Sequence, residues 1–194
     1  MTWTGRISRS EEADADERLA QRIAAGERAA LEELYARYSR PLFGFLMGIA
    51  PDAATAEEIL QDTLVAVWQG AAGFEGRATF RQWLFAVARR QAYNAVRRRR
   101  LPWADPAEVE AAEASGPSPE VEALTGAALD DLAARIHGLP PGQQEVLVLT
   151  LVEGFSYEET AAILEVPLGT VRSRLNTARR TLRQQLAAEM EDFA

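Results

Sequence analysis

Arg172, Arg174, Arg179, Arg180 and Arg183 crowd into one short stretch, "VPLGTVRSRLNTARRTLR", which contains no acid although the chain carries a net charge of −8. Guanidinium groups spaced along a helix are ligands for phosphate, and they set position rather than sequence preference. Between them stand Ser173, Asn176 and Thr177, short polar groups able to address base edges. Asn176 could pair with an adenine edge, and Arg180 could reach a guanine or a phosphate. A second acid-free zone, residues 77–100, holds eight Arg, seven of them in the aromatic-bearing stretch "FRQWLFAVARRQAYNAVRRRR". That mixture suits single-stranded nucleic acid, whose bases stack on rings while arginines hold the backbone. The bland alternative for each zone is a solvated helix face.

Catalysis has little to draw on. There is no cysteine, His137 is the only histidine, and no Walker A pattern occurs. A disulfide framework, a thiolate zinc site and a Ser/His/Asp triad are excluded or nearly so. No enzyme activity, cofactor or metal is expected. Asp130-Asp131 and Glu158-Glu159 are read as caps and solvated surface. His137 precedes Gly138 at a predicted helix C-terminus, where a cation favours the dipole.

These groups need helices to present them, and no period-two strand pattern appears in the sequence. The predicted fold is all-α, with two small helical domains. A first helix is predicted over Glu17–Tyr38, and a second, "PLFGFLMGIA", starts with Pro41 at its first position. A third covers Ala54–Gln69, the glycines of 70–76 break it, and a fourth runs from Thr79 to Arg100. Residues 101–124 carry four prolines, six acids and no base, and read as an extended acidic tether. Helix resumes over Thr125–His137, breaks at "GLPPG" and continues over Gln143–Val152. Ser156 and Glu159 stand at capping-box spacing ahead of another short helix, and "VPLG" precedes the last. The expected division is an extension 1–16, a domain 17–100, the linker 101–124, a domain 125–188 and a tail 189–194. No run approaches the roughly 18 apolar residues of a membrane span, and the N-terminus lacks the apolar middle of a signal peptide. A cytoplasmic protein is expected.

The pair Ser156–Leu164 and the final helix is either a plain αα-hairpin or a helix-turn-helix. At about 100° per residue, Val171, Leu175, Ala178, Leu182 and Leu186 form one stripe. Ser173, Asn176, Thr177 and Arg180 face the other way, with Arg172, Arg179 and Arg183 on one shoulder and Arg174 on the other. Small polar groups flanked by arginines favour the major groove over a bundle surface.

The same residues carry a resemblance. "LPPGQQEVLVLTLVEGFSYEETAAILEVPLGTVRSRLNTARRTLR" resembles region four of bacterial sigma factors of the extracytoplasmic-function (ECF) group of the sigma-70 family. The resemblance implies recognition of the promoter minus-thirty-five element by Thr170, Arg172, Ser173, Arg174, Asn176, Thr177, Arg179, Arg180 and Arg183. Asn176-Thr177 departs from the family's bulky or basic pair, so the preferred DNA is expected to differ.

"GFEGRATFRQWLFAVARRQAYNAVRRRR" is similar to sigma region two, including the Phe80, Trp83 and Leu84 spacing. By helical phase, Phe80, Trp83, Leu84 and Val87 share one face, and the other side presents Phe85, Arg89, Tyr93 and Val96. The resemblance makes Gly73–Thr79, with Phe74, Glu75, Gly76, Arg77 and Thr79, a loop that captures an unstacked base of the non-template strand. It places Arg89, Arg90, Tyr93, Asn94, Arg97 and Arg98 beside that loop for the minus-ten element. Arg90 stands where the family often has asparagine, and Asn94 where it often has aspartate. "AEEILQDTLVAVWQG" resembles the segment that docks on the β′ clamp helices. Leu60, Leu64 and Val67 point inward there, while Glu58, Gln61, Asp62, Val65 and Gln69 form the docking face.

The partners so implied are core RNA polymerase (β′ clamp helices and β flap), promoter DNA and an anti-sigma factor. The tether would lie in the polymerase's positively charged template and RNA-exit path. Competing readings are a stand-alone helix-turn-helix regulator and a sigma-like protein that titrates an anti-sigma factor. Thirteen acids between residues 101 and 165 can repel phosphate or cover the arginine zones. Weak promoter binding by the isolated chain is therefore expected, with specific binding once polymerase spreads the domains.

Overall fold

The structure, a computed structural model, describes residues 9–100 and 134–192, and every regular element among them is helical. The acidic tether and Asp130-Asp131 lie outside the described residues. Four helices build the N-terminal domain: α1 (Arg9–Ala24), α2 (Arg28–Leu46), α3 (Ala53–Gly70) and α4 (Phe80–Arg100). The C-terminal domain contains α5 (Pro141–Leu147), α6 (Tyr157–Leu164) and α7 (Leu168–Asp192). A π turn over Val148–Val152 extends α5.

The first two helices differ from expectation. The predicted Glu17–Tyr38 helix is broken at Gly26, whose φ of +78° is open to glycine at no steric cost. α1 starts ahead of Glu17, at Arg9, and buries Asp16, Leu19, Ala20 and Ile23 on one stripe. Pro41, expected to open a helix, sits inside α2. A mid-helix proline costs about 3 kcal/mol, but burial of Leu34, Tyr38, Leu42, Phe45 and Leu46 holds α2 continuous across it. Asp16 ties the two helices: Tyr38 Oη donates to its Oδ2 at 2.5 Å and Arg37 Nη1 to its Oδ1 at 2.7 Å. Burial and the facing Asp16 carboxylate both push the Tyr38 hydroxyl's pKa up.

α3 begins where Asp52 Oδ1 accepts from Thr55 N at 2.7 Å, a side-chain N-cap. Its inner stripe, Ile59, Leu60, Thr63 and Val67, packs against α2 and α4. α4 buries Leu84, Ala88 and Ala92, which fixes the register of everything else along it.

In the C-terminal domain the predicted capping box is present. Ser156 Oγ accepts from Glu159 N at 3.1 Å, and Glu159 Oε2 accepts from Ser156 N at 2.7 Å. α6 ends in a Schellman arrangement, with Val166 N donating to Ala161 O at 3.1 Å and Glu165 N to Ala162 O at 3.3 Å. Glu165 holds the left-handed position there at φ 52°, a conformation costing a side-chain-bearing residue about 1–2 kcal/mol. Glu165→Gly is therefore expected to raise stability, by up to about 1 kcal/mol after glycine's own entropy loss. The check is a higher urea midpoint at unchanged slope. Val171, Leu175 and Ala178 of α7 are buried against α5 and α6, the stripe expected from phase.

The two domains touch. Their buried side chains form one continuous core cluster, with Phe85 of α4 edge-on to Phe45 of its own domain (5.5 Å) and to Phe155 of the other (5.3 Å). The expectation that Phe85 is presented outward is thus wrong: the side chain is fully buried. α4 has two inner faces, one toward α2 and α3 and one toward the C-terminal domain.

Candidate nucleic-acid interface

α7 presents the predicted DNA-facing set much as phase required. Arg172, Ser173, Asn176, Arg180 and Arg183 are exposed, and Thr170, Thr177 and Arg179 are half-buried beside them. Arg174 differs. It is half-buried on the inner shoulder, so close to Gly142 that a Cβ there would lie 3.1 Å from its Cζ, and its charge acts on Glu145 of α5. A side chain so held supports the α5–α7 contact first.

On the N-terminal domain, Glu75, Gly76, Arg77 and Thr79 are exposed on the loop before α4. Gly76 turns the loop at φ +69°, and Arg77 Nη2 reaches Glu75 Oε2 at 2.5 Å. Phe74, Phe80 and Trp83 form a ring cluster, with Phe74 and Trp83 centroids 5.3 Å apart. Loop and rings bound a cleft of about 280 Å³, closed on its far side by Ala162 and Ile163 of α6. Its dimensions and aromatic wall suit a single unstacked base.

Along α4 beyond the cleft, Arg90, Asn94, Arg97 and Arg98 are exposed, whereas Arg89 and Tyr93 are half-buried. Arg89 stacks over the Tyr93 ring at 4.6 Å. Arg98 Nη2 lies 3.7 Å from Asp62 Oδ2 of α3, so one predicted DNA contact faces one predicted docking residue. Arg99, absent from the predicted set, spans the start of α3, pairing with Glu58 at 2.9 Å and contacting Thr55 Oγ1. The residues expected to form the docking face all lie at the surface of α3. Glu58, Gln61, Asp62 and Gln69 are exposed, and Val65 stands among them 54% exposed.

Comparison with known proteins matches two family models in order along the chain. They are Sigma-70 region 2 over residues 34–101 and Sigma-70 region 4 over residues 129–182. The chain belongs to the sigma-70 family. Among curated relatives, ECF RNA polymerase sigma factor SigE of Mycolicibacterium smegmatis is 32% identical, over 88% of this chain and 68% of its own. RNA polymerase sigma factor CnrH of Cupriavidus metallidurans is 30% identical over 92% and 97%. RNA polymerase sigma-H factor of Pseudomonas aeruginosa is 29% identical over 89% and 94%. Among solved structures, CnrH in complex with the cytosolic domain of CnrY aligns at a TM-score of 0.65 and 27% identity, covering 90% of this chain and 99% of that one. RpoE of Bartonella quintana with the anti-sigma factor NepR aligns at 0.63 and 27%, covering 80% and 96%. The protein is an ECF-type sigma factor, a directing subunit for transcription initiation by RNA polymerase.

In this sigma factor, regions 2 and 4 meet through Arg81, Glu145 and Glu153, which were not among the expected site residues, and through Arg89, which was expected to face DNA. Arg81 Nη2 donates to both Glu153 Oε2 (2.6 Å) and Glu153 O (2.8 Å), and its guanidinium lies 4.2 Å over the Phe155 ring. Arg89 Nε donates to Glu145 Oε1 at 3.1 Å, with the Glu145 side chain wholly buried. Burial pushes the Glu145 and Glu153 carboxyls up, against the opposing pull of Arg89 and Arg81 respectively. Burial also raises the Tyr93 hydroxyl, to about 12, with the facing Glu145 adding to the shift. Gln144 presses on Gly48 so closely that a Cβ there would sit 2.9 Å from its Cδ. The signal for these contacts was present in the sequence: two glutamates inside the apolar run "QQEVLVLTLVEG" would not be buried without cationic partners.

His137 departs from its expected role. Gln144 Nε2 lies 2.8 Å from its Nδ1, and burial lowers its pKa, so a neutral ring accepts from the amide. The unfolded chain takes up a proton near the ordinary value of about 6.5, while the folded chain resists it. Stability present above that value is lost as the pH falls through the lowered folded value. Wild type is therefore expected to lose more of its urea midpoint than His137→Asn between pH 7.5 and pH 5, the carboxylates being common to both.

Proposed function

We propose that this sigma factor reads two promoter elements with two arginine-bearing helices and docks on core polymerase through α3. Region 2 spans 17–100, from within α1 to the end of α4, and region 4 spans 125–188. In this reading α7 enters the major groove of the minus-thirty-five element, with Ser173, Asn176 and Arg180 toward base edges and Arg172, Arg179 and Arg183 on phosphates. Phe74, Glu75, Gly76, Arg77 and Thr79 shape the cleft for an unstacked minus-ten base, and Arg89, Arg90, Tyr93, Asn94, Arg97 and Arg98 follow the single strand along α4. Glu58, Gln61, Asp62, Val65 and Gln69 dock on the β′ clamp helices. Leu151 and Val152, exposed at the π turn, give region 4 an apolar edge for the β flap.

The observation that carries this reading is the aromatic cleft at the head of an arginine-lined helix, on the same chain as an outward arginine-flanked recognition helix. A stand-alone regulator would have no use for the first. The protein acts by binding rather than by chemistry, in the cytoplasm where polymerase works. Two solved relatives are held by CnrY and by the anti-sigma factor NepR, and an anti-sigma protein is the expected regulator here too. Transcription in vitro with core polymerase and this chain on a genomic promoter library tests the reading. New start sites sharing two spaced elements are expected, and none would sink it.

A further inference from the structure

α4 opens with a second capping box, and one of its members lines the aromatic cleft. Thr79 N donates to Gln82 Oε1 at 3.0 Å, and Gln82 N donates to Thr79 Oγ1 at 3.2 Å. Trp83 N closes the first helical turn on Thr79 O at 3.0 Å. This is the Thr-x-x-Gln form of the motif, in which two open backbone donors are satisfied reciprocally. Gln82 lines the cleft together with Phe74, Glu75, Arg77 and Trp83.

The cap decides which half of the amide a ligand can use. A backbone N–H only donates, so the atom facing Thr79 N is the side-chain oxygen, and Nε2 is the other end. Nε2 is left without a hydrogen-bond partner among the described residues. A glutamine usually reads adenine with both ends of its amide, accepting from N6 and donating to N7. Gln82 has its acceptor committed to the cap, so that two-point contact is closed to it. What remains is a donor, whose complement is a base carbonyl. Adenine is the one base without a carbonyl. Its N1 and N7 each lie beside the N6 amino group, a donor that the Gln82 donor opposes.

We propose that Gln82 is a specificity-determining residue of the minus-ten cleft: with its donor presented by the capping box, it favours a carbonyl-bearing base and turns adenine away. The inference rests on the minus-ten reading of the cleft and names the class of base taken there. The Phe74 and Trp83 rings offer stacking faces, which suit every base, so they admit a base without choosing it. Arg77 and Glu75 are exposed and paired with each other.

Gln82→Glu tests this while keeping the cap. Glutamate is the other standard partner of a Ser/Thr cap at this position, so Thr79 N retains its acceptor while the free end changes from donor to acceptor. A promoter from the genomic library, transcribed with core polymerase and the full chain, is set in turn to each base at every non-template minus-ten position. Thymine against adenine is the diagnostic pair. Thymine's exocyclic polar groups are both carbonyls, adenine's is an amino group, and the hydrogen bonds broken on opening the duplex are the same. At one position wild type should give about fivefold more transcript with thymine than with adenine, the effect of one net hydrogen bond. Gln82→Glu should reverse that ratio there and leave the other positions unchanged, and Gln82→Met, which removes the polar end at similar length, should level it. An added carboxylate also repels phosphate and lowers transcript from every template, so the ratio is the readout. A ratio common to all three proteins at every position leaves Gln82 a helix cap alone and overturns the proposal. A wild-type preference for adenine at the responding position overturns it equally. If wild type starts no transcription on the library, or has no minus-ten base preference, the function reading fails and this inference with it.

Discussion

Phe85→Ala is expected to lower the thermal midpoint by about 10 °C or more. The side chain is wholly buried, and its ring meets Phe45 at 5.5 Å and Phe155 at 5.3 Å, both edge-on. Truncating a buried phenylalanine costs about 3–5 kcal/mol through lost transfer energy and the cavity left behind. Each kcal/mol moves the midpoint of a domain this small by several degrees, about 4–8 °C for 60–100 residues. Tyr35→Ala serves as the control: that ring is 55% exposed, and its loss should change stability by no more than about 0.5 kcal/mol. Calorimetry separates the two variants. A Phe85→Ala protein as stable as Tyr35→Ala would mean that the ring does not join the two domains.

Asn176→Ala is expected to act on promoter choice rather than on fold. The residue is exposed on α7 between buried Leu175 and the rest of the inner stripe. A bidentate amide–base pair contributes about 1–3 kcal/mol of discrimination, or roughly 5- to 150-fold in binding. The loss should fall on promoters carrying the preferred base pair and spare the others, which a transcribed promoter library reads directly. Arg172→Ala should behave differently. As a phosphate contact it should weaken all promoters about evenly and reduce the slope of log affinity against log salt by about 1. A uniform loss from Asn176→Ala would remove Asn176 from the set of base readers.

The contrast between these residues shows what a sequence can carry. α7 was legible because its buried face belongs to a single neighbouring layer, so Val171, Leu175 and Ala178 repeat at helical spacing and leave the readers opposite. The start of α6 was legible because Ser156 satisfies a backbone donor only three residues away. Phe85 was not legible. α4 is buried on two sides, and the second partner, Phe155, lies seventy residues further along the chain, beyond the reach of any local period. Pro41 misled because intrinsic cost was set against five buried side chains that only the tertiary structure reveals. The arginine zones were legible as charge, but charge alone did not distinguish Arg90, which is largely exposed and pairs with an exposed Glu165, from Arg89, which faces the buried Glu145.

Gly48 has a bearing on engineering. Promoter preference in modular factors invites chimeras, in which one protein's recognition domain is grafted onto another's. Here the graft must match at a close approach: a Cβ at position 48 would lie 2.9 Å from Gln144 Cδ, so any side chain there requires the Gln144 side chain to shift. Compatible grafts should carry the α4 arginines, the two glutamates and the glycine as one inherited set. A mismatched graft should keep its promoter choice but lose stability at the seam between the two domains.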